Sequence, residues 1–77
     1  MLIHIKKPDG RKVSLEFEPN QKVKEIKDAI EKLDGLKSQD YRLIYSGKFI
    51  KEELTLQEAN IIPGSFLLLK YKEFLGP

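Results

Sequence analysis

Residues 12–35 read KVSLEFEPNQKVKEIKDAIEKLDG, and the period of their apolar positions changes once. Up to Phe17 it is two. Val13, Leu15 and Phe17 alternate with Lys12, Ser14 and Glu16, the pattern of a strand with one face on a core. Pro19-Asn20 stops that strand. Val23, Ile26, Ile30 and Leu33, with Ala29 beside them, then fall at i, i+3, i+7 and i+10, while Lys24, Glu25, Lys27, Asp28, Glu31 and Lys32 take the other face. This predicts an amphipathic helix, closed by Gly35 in the left-handed conformation that commonly ends one. Its start is less well marked, since Lys22 is a poor N-cap and Asn20 sits two residues early.

The flanking sequence extends the pattern. Residues 1–7 alternate, with Met1, Ile3 and Ile5 on one side and Leu2, His4 and Lys6 on the other. Pro8-Asp9-Gly10 supplies turn chemistry, so the first two strands read as an antiparallel hairpin with a three- to four-residue loop. Residues 42–45 form a third strand with Leu43 and Tyr45 on one face and Arg42 and Ile44 on the other. Ser46-Gly47 turns the chain into a minimal edge strand at Phe49-Ile50. Thr55 with Glu58 three residues later is a capping box and predicts one short helical turn. Ile62-Pro63-Gly64-Ser65 has the type II preference. In the last strand, 66–72, Leu67, Leu69 and Tyr71 oppose Phe66, Leu68, Lys70 and Lys72. One helix must then cover the apolar face of one mixed sheet of four to five strands, with the first and last strands inside it. The expectation is an α+β, β-grasp domain over residues 1–73, followed by a flexible tail at 74–77.

Composition narrows the function classes. The chain has 77 residues, 14 basic and 12 acidic side chains and a net charge of +2. A domain of this size buries only about 60% of its unfolded surface, leaving little for an enclosed active site. No nucleophile–base pair, metal-ligand set or cofactor loop is visible, so the reading is that it is not an enzyme and takes neither cofactor nor metal. Without cysteine there is no disulfide framework and no thiolate site, which favours a reducing compartment, cytoplasm or nucleus. No segment is apolar enough for a membrane span or a secretion signal. The small charge argues against nucleic acid as partner, and no aromatic-and-basic stacking platform is evident.

Residue by residue the chain resembles ubiquitin and its relatives. The likeness runs without gaps through Met1, Ile3, Lys6, Gly10, Leu15-Glu16, Glu18-Pro19, Lys27, Ile30, Gly35, Arg42-Leu43-Ile44, Gly47-Lys48, Thr55-Leu56, Asn60-Ile61, Ser65, Leu67 and Leu69. Members of that family are either conjugated to targets or are fixed binding domains. The conjugated members end in Gly-Gly on a flexible basic tail, because the terminus threads a narrow tunnel. Here the corresponding stretch is Glu73-Phe74-Leu75-Gly76-Pro77: one glycine remains and the tail is bulky.

Strand parity assigns a solvent face independently of the family. Leu2, His4 and Lys6 share it with Arg42, Ile44, Phe66, Leu68, Lys70 and Lys72, and four of these are large apolar side chains with no core to enter. Such patches mark interaction sites. The resemblance places Ile44 at the centre of ubiquitin's recognition patch, with Arg42, Gly47, Lys48 and Leu68 around it. Two departures are Pro8, where ubiquitin has a mobile leucine, and Lys70, where it has valine. The expected contact set is Ile44, Leu68, Gly47, Lys48, Arg42, Lys6, Pro8, Lys70, Phe66 and His4. His4, without a nearby Asp or Cys, reads as a surface contact, and Phe66 and Leu2 could instead pack on each other as a cross-strand pair. Lys6, Lys27 and Lys48 match positions where ubiquitin accepts further ubiquitin, with Lys27 partly occluded by a salt bridge.

The resulting expectation is a monomeric, non-catalytic adaptor module of the ubiquitin–proteasome or chaperone pathway. Its partners are proteins with ubiquitin-interacting helices or ubiquitin-associated domains, proteasome receptors among them. The alternative is a modifier conjugated through Gly76 after removal of Pro77.

Overall fold

The computed structural model describes residues 1–72. Glu73, the expected tail and Gly76 lie outside the described residues. Five strands form one mixed sheet: β1 (Leu2–Lys6), β2 (Lys12–Glu16), β3 (Tyr41–Tyr45), β4 (Lys48–Phe49) and β5 (Phe66–Tyr71), in the order β2-β1-β5-β3-β4. The β1–β5 pair is parallel and the others antiparallel. Helix α1 (Val23–Asp34) makes the crossover between β2 and β3. This is the β-grasp arrangement.

The period-two residues enter the core as their alternation requires. Ile3, Ile5, Leu43, Leu67 and Leu69 are buried beneath Val23, Ile26 and Ile30 of α1, with Phe17, Leu56 and Ile61 closing the sides. Tyr41, the first residue of β3, is also fully buried. Leu33, expected on the packed face of the helix, is 57% exposed. It lies in the last turn, directly before Asp34 and the C-cap, where the helix is ending.

Three turns set the register. Gly10 (φ 91°) donates to the Lys7 carbonyl, and Lys7 bonds Arg11, so the first hairpin turns on residues 8–10. Ser46 (φ 55°) and Gly47 (φ 80°) are both left-handed, the type I′ requirement for a two-residue hairpin. Gly35 caps α1 at φ 73°, its N–H donating to Glu31. At the other end Lys22 is the N-cap through its backbone alone. The Glu25 carboxylate accepts the Lys22 N–H at 2.9 Å and the Gln21 side chain at 3.0 Å. The capping box at Thr55 and Glu58 forms reciprocally at 3.0 and 2.9 Å. One bond from Ala59 N–H to the Thr55 carbonyl closes a single turn, which ends at Asn60 (φ 62°) without growing into a helix.

The Lys27–Glu52 ion pair crosses the core boundary. The Lys27 ammonium, nearly buried, donates to Glu52 at 2.7 Å, the Tyr41 carbonyl at 3.2 Å and the Ser38 carbonyl at 3.3 Å. It also lies 5.2 Å from the Tyr41 ring centre, and the Tyr41 hydroxyl donates to the Lys27 carbonyl at 3.2 Å. Burial, with Glu31, Asp28 and Glu52 nearby, pushes the Tyr41 phenol well above its ordinary range. No buried side-chain nitrogen or oxygen among the described residues lacks a partner.

Lys27→Ala removes a charge that four groups face, so it should lower unfolding free energy by about 3 kcal/mol, read by denaturant titration. The hydrogen bond from Lys27 holds the Glu52 carboxyl below its ordinary value. A depressed carboxyl stabilises the fold above its unfolded value of about 4.3, and the contribution is lost as pH falls through the folded one. Stability should therefore fall on acidification through and below that range, and Glu52→Gln should flatten the fall, measured by denaturation at stepped pH.

Candidate functional site

With α1 and the core on one side, the sheet's other side is left to solvent, and its register lines up one residue from every strand. Lys12 is opposite Lys6, Lys6 opposite Leu68, Leu68 opposite Ile44, and Ile44 opposite Phe49. Leu68 is 41% and Phe49 53% exposed, while Ile44, with neighbours on both sides, is half-buried rather than fully outward. A contiguous apolar row of three residues thus continues directly into two lysines.

On one side of this row Lys70 is opposite Arg42. The Arg42 guanidinium lies 5.1 Å from the Phe49 ring centre, a cation–π contact. On the other side Ser14 is opposite His4 and His4 opposite Phe66. The His4 ring stacks on Phe66 at 4.7 Å and its Nδ1 is 2.7 Å from the Ser14 hydroxyl, while Lys12 approaches the same phenylalanine at 5.4 Å. The partner of Phe66 is therefore His4, not Leu2, which is opposite Glu16. Parallel pairing of β1 with β5 shifts the register by one outward position relative to that expectation.

Two pairs of like charges, Lys6 with Lys12 and Lys70 with Arg42, therefore face each other across strands. That arrangement is destabilising in an isolated sheet. None of the four has a carboxylate ion-pair partner among the described residues. The face is basic, apolar at its centre, and suited to an acidic, amphipathic surface.

The structure brings Lys6, Leu68, Ile44, Arg42, Lys70, His4 and Phe66 together on this face. Pro8 is exposed in the β1–β2 loop and shares a shallow depression with Lys6, Leu68 and Lys70. Gly47 and Lys48 sit beside the row at the β3–β4 turn, where Lys48 is in register with Tyr45 rather than Ile44. Phe49 and Lys12 were not among the contacts expected from the sequence. A two-residue strand has no alternation to read, but counting back across the Ser46-Gly47 turn pairs Phe49 with Ile44. Among the described residues no group of three or more His, Cys, Asp or Glu side chains could hold a metal ion, and no helix is long and apolar enough to cross a membrane.

The profile of the ubiquitin family matches residues 3–73. The chain is 35% identical to ubiquitin-like protein 1 of Schizosaccharomyces pombe over 90% of its own length and 88% of that protein's. It is 32% identical to the NEDD8-like protein RUB1 of Saccharomyces cerevisiae, covering 90% of each chain. A probable ubiquitin receptor, RAD23 of Oryza sativa subsp. japonica, is 30% identical over 99% of this chain and 20% of its own length.

Lys70→Glu turns one like-charge pair into an attractive one. It should raise stability by about 0.5 kcal/mol, a gain that shrinks in concentrated salt, as chemical denaturation at two ionic strengths will read.

Proposed function

Since the chain belongs to the ubiquitin family, we propose that it is a non-catalytic interaction module that binds helical, ubiquitin-receptor-type partners through the sheet face centred on Ile44. The observation that carries this reading is the cross-strand row, in which Leu68, Ile44 and Phe49 form an apolar strip bordered by Lys6, Lys70 and Arg42. A shallow strip of this kind accepts one face of an amphipathic helix. These cations select an acidic flank and speed encounter. Likeness to one-fifth of the probable ubiquitin receptor of rice supports a role as a domain within a larger adaptor, and the lack of cysteine favours a reducing compartment, cytoplasm or nucleus. A shallow strip buries little area on binding, so the affinity expected is of the micromolar class.

A second reading, a protein modifier activated at Gly76 after loss of Pro77, is favoured by the chain's matching nearly the whole of the two yeast proteins. Incubation with cell extract and ATP, followed by mass spectrometry, distinguishes the two. Loss of Pro77 with a thioester at Gly76 supports the modifier, and an unaltered terminus supports the module.

Titrating a helical ubiquitin-interacting peptide or a ubiquitin-associated domain, followed through backbone amide shifts, should show weak binding that Ile44→Ala abolishes and added salt reduces. Equal affinity of parent and variant would overturn the assignment of the face.

A further inference from the structure

We infer that the partner helix lies across the strands rather than along them, with its C-terminal end over Lys6 and Lys12, and that Phe49 is the residue that sets its register. This rests on the sheet face being the helix-binding surface. Neighbouring strands are ~4.8 Å apart, so Phe49, Ile44, Leu68, Lys6 and Lys12 follow one another at that step. A helix rises ~1.5 Å per residue, and its side chains on one face recur at i, i+3, i+7, i+10 and i+14. The two series keep pace. Apolar residues at i, i+3 and i+7 meet Phe49, Ile44 and Leu68, and carboxylates at i+10 and i+14 meet Lys6 and Lys12.

Three observations favour this axis. Along β5 the outward residues are Phe66, Leu68 and Lys70, so a helix in that direction finds two apolar contacts and then a charge. Phe66 and Phe49 are almost equally exposed, at 54% and 53%, but Phe66 already has the His4 ring stacked on it and Lys12 near it, whereas the cation at Phe49 is Arg42. The sheet twists by roughly 20–25° per strand, so close apolar contact belongs on three adjacent strands and the long, flexible charged pairs belong beyond them. Here β5, β3 and β4 carry the apolar residues and β1 and β2 the lysines. The direction follows from charge: a helix C-terminus carries partial negative charge, and its favoured place is over the facing lysines, which lack an ion-pair partner among the described residues.

Two synthetic helical peptides of identical composition test this, one with leucines at i, i+3 and i+7 and glutamates at i+10 and i+14, the other with that order reversed. The first should bind at least about fivefold more tightly. Phe49→Ala, checked for folding by circular dichroism, should cost about fivefold and Phe66→Ala little. Lys6→Glu should weaken the first peptide, and exchanging its i+10 glutamate for lysine should restore binding to that variant. Equal affinity of the two peptides, a larger cost from Phe66→Ala than from Phe49→Ala, or no rescue would overturn the inference. A natural ubiquitin-associated domain that still binds through Ile44 would, in that event, leave the helix-binding reading standing, whereas indifference of every ligand to Ile44→Ala would remove both.

Discussion

A single helix can shield only one side of a five-stranded sheet, and that constraint organises this molecule. α1 and the segments that carry Leu56 and Ile61 close over Ile3, Ile5, Leu43, Leu67 and Leu69, and no second helix among the described residues covers the reverse side. Every second residue of β1, β3 and β5 is consequently wet. Polar side chains at all those positions would give a solvated sheet with nothing to recognise. The leucine, isoleucine and phenylalanine there leave an apolar strip on the reverse side, which is what the proposed function uses.

The charges on that surface give the preference a sign. Apolar contacts alone would accept many greasy partners, whereas in the proposed function the paired cations disfavour basic ones and draw acidic ones. They also burden the free protein, since like charges in register repel. The cost is tolerable because the four side chains are long and exposed, and because Arg42 finds the Phe49 ring. In the proposed function, recognition and stability therefore pull in opposite directions at Lys6, Lys12, Arg42 and Lys70.

Much of this was readable from residue order, and the failures have particular causes. The alternation in β1, β2 and β5, the helical spacing from Val23 to Ile30, Gly35 and the Pro63-Gly64 turn are local signals, and all appear in the structure. Leu33 continued the helical period but lies where the helix runs out, and periodicity cannot report where a neighbour stops. Tyr41 follows a 3₁₀ turn at Ser38–Asp40, so its burial depends on a tertiary partner, Lys27, fourteen residues away. The outward face was legible by parity, yet its rows were not. Which residue stands beside Ile44 depends on strand order and register, and the single parallel pair places His4 rather than Leu2 against Phe66. Glu25 as the acceptor for the Lys22 amide was hidden because Lys22 itself offers no capping side chain.

Lys27 carries a further consequence. Its ammonium is a strut joining α1, the start of the 3₁₀ turn, the first residue of β3 and the loop bearing Glu52. A reagent or enzyme that acylates amines needs room to approach the nitrogen, and the contacts around it leave none while the strut is in place. Attachment of a group at this nitrogen thus has to await a local opening of the fold. Its rate then measures how often that corner of the molecule comes apart, while the exposed lysines of the sheet face need no such opening.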